Sequence, residues 1–299
     1  MIWVHTYNSK DEALEGLTQQ LFKHIQTTRF IIPPKYLHIA SGLHRAMNEK
    51  KNHLFIKRFF LAIPGRETGE DLLNFWHKNH SKNPIWKEIN YYQTNEQYIA
   101  ESKANKAQHN FFTDNTIPND QIHMIEPCGD AQRTATLYCL NLPQTSGLYY
   151  QTLNINIIRE NDENFDSLFH CAIINIEADG RIGSINAHDE IAYYGPPYTT
   201  INNKKNETDI TISLYKLFKV PRIMILLLHD EKEINIRKLI KEHFSSIEIR
   251  NLLSEHPNIH IFTTNKRIEK RIRCEFRINL RRWMEKCKEA IIKPLLKVS

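Results

Sequence analysis

The feature that most restricts this chain is the run Ile-Met-Ile-Leu-Leu-Leu at 223–228. It has no polar face, so 222–228 reads as a strand covered on both sides. Asp230 then caps a helix with Ile236, Leu239 and Ile240 facing inward, and 258–264 supplies a second apolar strand. Strand, helix and strand in this order specify a right-handed parallel crossover. A chain containing one must build at least part of a parallel sheet covered by helices. The run is far short of the ~20 residues that cross a bilayer, so no transmembrane association is expected. The N-terminal Met-Ile-Trp-Val-His-Thr-Tyr lacks the basic and apolar regions of a secretory signal.

Upstream, 2–7 reads as a short strand. Ser9-x-x-Glu12 is a capping box, opening a helix with Leu14, Leu17, Leu21 and Ile25 on one face. Pro33-Pro34 breaks the chain, and 41–51 is expected to be helical. A strand over 53–63 ends at Pro64-Gly65, followed by a helix over 70–79. The polar stretch 82–118 reads as surface loop around a helix at 95–108, with breakers at 114–120.

A helix is expected over 130–140. Residues 148–158 alternate, with Leu153, Ile155 and Ile157 on one side, and 168–176 is an apolar strand. Ala178-Asp179-Gly180 turns the chain into a partner strand at 181–187. Residues 193–206 form a loop rich in Pro, Tyr and Asn. The last element, 265–292, is a helix with Ile268, Ile272, Phe276, Leu280, Trp283, Cys287 and Ile291 as its apolar stripe. The expected class is mixed α/β (α+β): a central antiparallel meander preceded by a helix, a C-terminal β-α-β unit and a long basic C-terminal helix. The natural divisions are 1–118, 119–192 and 193–299, as separate regions or as one domain.

Only nine glycines occur, and neither GxGxxG nor GxxxxGK[ST] is present, so the common phosphate-cradling loops are excluded. The five cysteines are odd in number and form no CxxC pair, which argues for reduced thiols in a cytoplasmic setting. The net charge of +6 is uneven. Residues 265–299 hold twelve Lys and Arg against four Glu, while the rest of the chain is slightly acidic.

Cys128 lies in Glu126-Pro127-Cys128-Gly129-Asp130, just before a helix. A helix N-terminus lowers a thiol pKa and offers N–H groups to an oxyanion. His170, at the start of a strand, is the candidate base. Asn186 or Asp189 would orient its ring. Cys, then a strand-initial His, then Asn or Asp resembles the papain-like cysteine hydrolase superfamily, over roughly 121–189. The resemblance implies Cys128 as nucleophile, His170 as base, Asn186 or Asp189 as orienting group and Gln121 in the oxyanion hole. It implies a cysteine-dependent hydrolase or transferase acting on an amide or acyl group of a protein or peptide substrate. Cys139 and Cys171 sit on apolar faces and read as core residues.

Two other readings stand beside this one. The basic C-terminal helix could make the chain a non-catalytic module for nucleic acid or an acidic protein partner. His229-Asp230, at the carboxyl end of a strand, could serve a nucleotide- or sugar-nucleotide-dependent transferase. His77-x-x-His80 and His188-Asp189 lack a third ligand nearby. Neither a metal nor a cofactor is expected.

Overall fold

The structure is a computed structural model. It describes residues 2–28, 59–99, 106–142, 169–176, 181–185, 196–202, 207–228, 256, 258–267 and 269–270. Among these residues nine strands form one sheet: β1 Ile2–Thr6, β2 Phe59–Pro64, β3 Ile89–Gln97, β4 Ile122–His123, β5 Cys171–Asn175, β6 Tyr198–Asn202, β7 Thr208–Ile212, β8 Ile223–Leu227 and β9 Ile259–Thr263. The described helices are α1 Lys10–Thr28, α2 Arg66–His80, α3 Lys106–Asp114, α4 Ala131–Leu140 and the short α5 Leu214–Phe218. None is long and apolar enough to cross a membrane.

The sheet order is β1-β9-β8-β5-β2-β3-β7-β6. Seven strands are mutually parallel, β4 lying against Tyr91 and Tyr92 of β3. The hairpin β6–β7 closes the far edge, with β7 antiparallel to the last residues of β3. From β2 the chain moves outward to β3 and β4. It then returns to the other side of β2 to lay down β5, β8 and β9. The strand order therefore reverses between β2 and β5, where an open α/β sheet leaves a crevice at its carboxyl ends.

Alternation along the strands builds two cores. Leu61, Ile63, Tyr91, Ile173, Met224, Leu226 and Phe262 face α1, α2 and α3, which contribute Leu14, Leu17, Leu21, Leu72, Trp76 and Phe111. The Trp76 ring packs against Trp86, tilted by 37° with centroids 4.8 Å apart, and its indole N–H donates to Thr18 at 2.8 Å. The opposite face, with Ala62, Ala172, Ile174, Ile223, Ile225, Leu227 and Ile261, packs on Ala135 and Tyr138 of α4 and Leu214 and Leu217 of α5. Ser9 caps α1 through a 3.2 Å bond to the Glu12 N–H, and Asp130 caps α4 through the Arg133 N–H at 2.7 Å.

The parallel pairing of 223–227 with 259–263 is as the apolar runs require. Three expectations are corrected. First, β5 is a parallel strand between β2 and β8, not the first arm of a meander. Residues 181–185 make only bridges, Ile176 to Ile182 and Ile182 to Ile185. All five residues of β5 are buried, so it needed covering on both faces rather than one. Second, the antiparallel hairpin lies at 198–212, partly within the expected loop. Third, 89–97 is a strand although its second half is polar, and the helix begins at Lys106 instead of 95. The segments 148–158, 178–180 and 230–250, and all of the expected helix over 265–292 except 265–267 and 269–270, lie outside the described residues. All three divisions drawn from the sequence contribute strands to the one sheet.

Candidate functional site

The candidate site lies beside β2, at the strand-order reversal, where strand ends turn polar as they leave the core. β2 stops at Pro64, and Gly65 passes the chain into α2. A Cβ on Gly65 would lie 2.1 Å from the Asn95 carbonyl oxygen and 2.7 Å from Glu96 Oε2, so only glycine fits between β2 and β3. Arg66 follows in the left-handed region, with φ of 55°. That conformation is costly for a residue with a side chain and persists only where surrounding contacts impose it.

Those contacts are ionic. The Glu96 carboxylate accepts the backbone N–H of Arg66, the Gln97 N–H at 2.9 Å and the Gln93 side-chain amide at 2.7 Å. Gly65 has no side chain to cap α2, and Glu96 supplies the missing acceptor and a favourable charge at the helix start. Burial pushes the Glu96 carboxyl above its ordinary value, against the pull of these donors and of the Arg66 charge. The Arg66 guanidinium pairs with Asp209 of β7, whose side chain is fully buried. Arg181 Nη1 lies 3.6 Å from the other Asp209 oxygen.

Neighbouring polar groups tie this cluster to the sheet. Asn95 Nδ2 donates to Ser184 Oγ at 3.2 Å, and Ser184 itself has φ of 75°. Thr94 Oγ1 donates to the Ile173 carbonyl at 3.2 Å, linking β3 across β2 to β5. Asn175, at the end of β5, is buried with Oδ1 unbonded. The arrangement joins two guanidinium groups, which recognise oxygen-rich or anionic groups, to a carboxylate held above its usual pKa, which suits proton transfer.

The residues selected from the sequence are not gathered here. Cys128 is exposed, and its own N–H donates to Thr134 Oγ1 at 2.9 Å. The next carbonyl, of Gly129, accepts from Tyr98, just beyond the carboxyl end of β3. His170 lies at the opposite edge: Nδ1 accepts the Phe60 N–H at 2.9 Å, at the start of β2, and the ring stacks on Phe59 and Phe60. The nine residues of β3, about 30 Å at the usual rise per residue, separate those two edges. Gln121 is buried and donates to the Lys87 and Ile89 carbonyls, where β3 begins. Asn186 and Asp189 lie outside the described residues, as do His188, His229 and Asp230. His80 pairs with Glu15 at 2.7 Å and His77 faces Asp114 at 3.6 Å. Among the described residues no group of three side chains could hold a metal ion.

Arg66, Glu96, Arg181 and Asp209 were not selected from the sequence. The one local signal was charge inside strand-like segments: Glu96 after Tyr91-Tyr92, and Asp209 within Thr-Asp-Ile-Thr-Ile.

No family model and no curated sequence matches the chain. Solved structures do. A 6-phosphogluconolactonase from Trypanosoma cruzi superposes with a TM-score of 0.62 at 14% identity, covering 90% of this chain and 96% of its own. The enzyme of that name from Trypanosoma brucei gives 0.60 at 10% identity, with 91% and 98% covered. That from Thermotoga maritima gives 0.56 at 12%, with 88% and 99% covered. These likenesses correct the papain-like reading. The fold is that of structures named 6-phosphogluconolactonase, so the thiol-protease assignment, the cysteine-dependent chemistry and the protein or peptide substrate are withdrawn. The nucleic-acid or acidic-partner module and the nucleotide-dependent transferase gain no support either. The conclusion from sheet order and superposition together is that this chain has the 6-phosphogluconolactonase fold.

Proposed function

We propose that the chain hydrolyses a small sugar lactone in the crevice at the carboxyl ends of β2, β3 and β5. The observation that carries this reading is the cluster of Glu96, Arg66, Arg181 and Asp209 at the strand-order reversal of a lactonase-like sheet. The solved structures named 6-phosphogluconolactonase support the substrate class.

In the proposed reaction Glu96 takes a proton from water as the water oxygen attacks the lactone carbonyl carbon. The guanidinium groups of Arg66 and Arg181 stabilise the oxyanion that forms. Collapse of that intermediate breaks the ring carbon–oxygen bond. The proton held by Glu96 passes to the leaving alkoxide, giving the open hydroxy acid. A carboxyl raised above its ordinary pKa is a better base than a solvated one.

The test is hydrolysis of glucono-δ-lactone and of its 6-phospho derivative by the full chain, followed by acid release at constant pH. Turnover above the spontaneous rate is expected for at least one of them. Glu96→Gln should lower that turnover by roughly 10²-fold or more. Opening of both lactones at the spontaneous rate only would refute the reading.

A further inference from the structure

We infer that Asp209 sets the charge of the ligand, so that the crevice takes an uncharged sugar lactone in preference to a phosphorylated one. The inference rests on the lactonase reading and narrows its substrate class. Asp209 is fully buried, and its two oxygens face the two arginines of the cluster: one pairs with Arg66, the other lies 3.6 Å from Arg181. A carboxylate of the protein therefore sits where the anionic group of a ligand would gain most from both guanidinium groups.

A phosphate dianion brought near this cluster meets cations whose charge Asp209 already offsets in part, so what remains serves the single charge of an oxyanion but not a further two. It also meets repulsion from Asp209, and from Glu96 when that group is ionised, in a setting where water screens little. Ring hydroxyls carry no such penalty. Asp209 also cannot swing away. It lies on β7 with Gln97 of β3 on one side and Ile201 of β6 on the other, so its backbone is held in the sheet.

The experiment compares kcat/KM of the full wild-type chain for glucono-δ-lactone and 6-phosphoglucono-δ-lactone, beside Asp209→Asn. The wild type is expected to favour the uncharged lactone by at least about tenfold, and Asp209→Asn to shift that ratio toward the phosphorylated one by about tenfold or more. Wild-type preference for the phosphorylated lactone would overturn the inference while leaving the lactonase reading standing. An unchanged ratio in a folded Asp209→Asn would also overturn it. If neither lactone is turned over above the spontaneous rate, the lactonase reading and the inference fall together. Because the wild-type ratio needs no variant, the inference stays testable if Asp209→Asn does not fold.

Discussion

Arg66 and Asp209 stand 143 positions apart in the sequence, yet their side chains form an ion pair whose acidic member has no exposure to solvent. The pair joins the start of α2 to the hairpin at the far edge of the sheet, with β3 between them. It holds Arg66 in its left-handed conformation and takes up positive charge that would otherwise be buried uncompensated. Asp209→Ala should destabilise the folded chain by about 3–5 kcal/mol, because two guanidinium groups lose their counter-charge. Urea unfolding measures this, and a change below about 1 kcal/mol would show that the arginines find other partners.

Gly65 permits the approach of β3 to the start of α2. Gly65→Ala places a methyl group against the Asn95 carbonyl and the Glu96 carboxylate, neither of which can retreat without breaking a cap or a strand bond. A loss of about 1–3 kcal/mol is expected, together with lower lactone turnover because Glu96 is displaced. Equal melting temperatures for the variant and the wild type would contradict this geometry.

The pH profile of turnover should report Glu96. Its carboxyl is raised by burial, so the base is lost on acidification at a pH above the ordinary 4.5. The acid limb of kcat/KM should lie above that value and vanish in Glu96→Gln, whose residual rate stays flat. An acid limb that survives the substitution would assign the base elsewhere.

Acid stability should be governed by the opposite edge of the sheet. Burial and the nearby Arg222 push His24 down to about 4 and His260 down to about 3, and His5 lies 3.0 Å from His260. Unfolded, both side chains titrate near 6.5. As pH falls below that, the unfolded chain binds protons that the folded chain refuses. Stability present above about pH 6.5 is therefore lost progressively toward pH 4 and 3. Urea midpoints at about pH 7 and about pH 5 should differ, and His24→Gln with His260→Gln should shrink the difference. An undiminished difference would place the acid-sensitive groups elsewhere.

Thiol chemistry separates the present reading from a cysteine mechanism. Cys128 is exposed, whereas burial pushes the Cys171 thiol up to about 12. Cys128 should be labelled by a thiol reagent in the folded state and Cys171 only on unfolding. Cys128→Ser should retain wild-type lactone turnover. A loss of about tenfold or more would return the thiol to the mechanism.

Local pattern was enough for the elements that bury apolar surface. The run at 223–227, its partner at 259–263, the stripe of α1 and the caps Ser9 and Asp130 could all be read from neighbours a few positions away, because propensity and capping act over that range. β3 could not. Gln93 and Thr94 read as surface loop and Asn95 and Glu96 as the start of a helix, yet the first three are buried and Glu96 partly so, since each meets a partner from another strand or helix. The same holds for the site as a whole. Arg66, Glu96, Arg181 and Asp209 look like surface charges one at a time. Their pairing depends on which strands the sheet places side by side, and that order follows from long-range packing that no short stretch of sequence encodes.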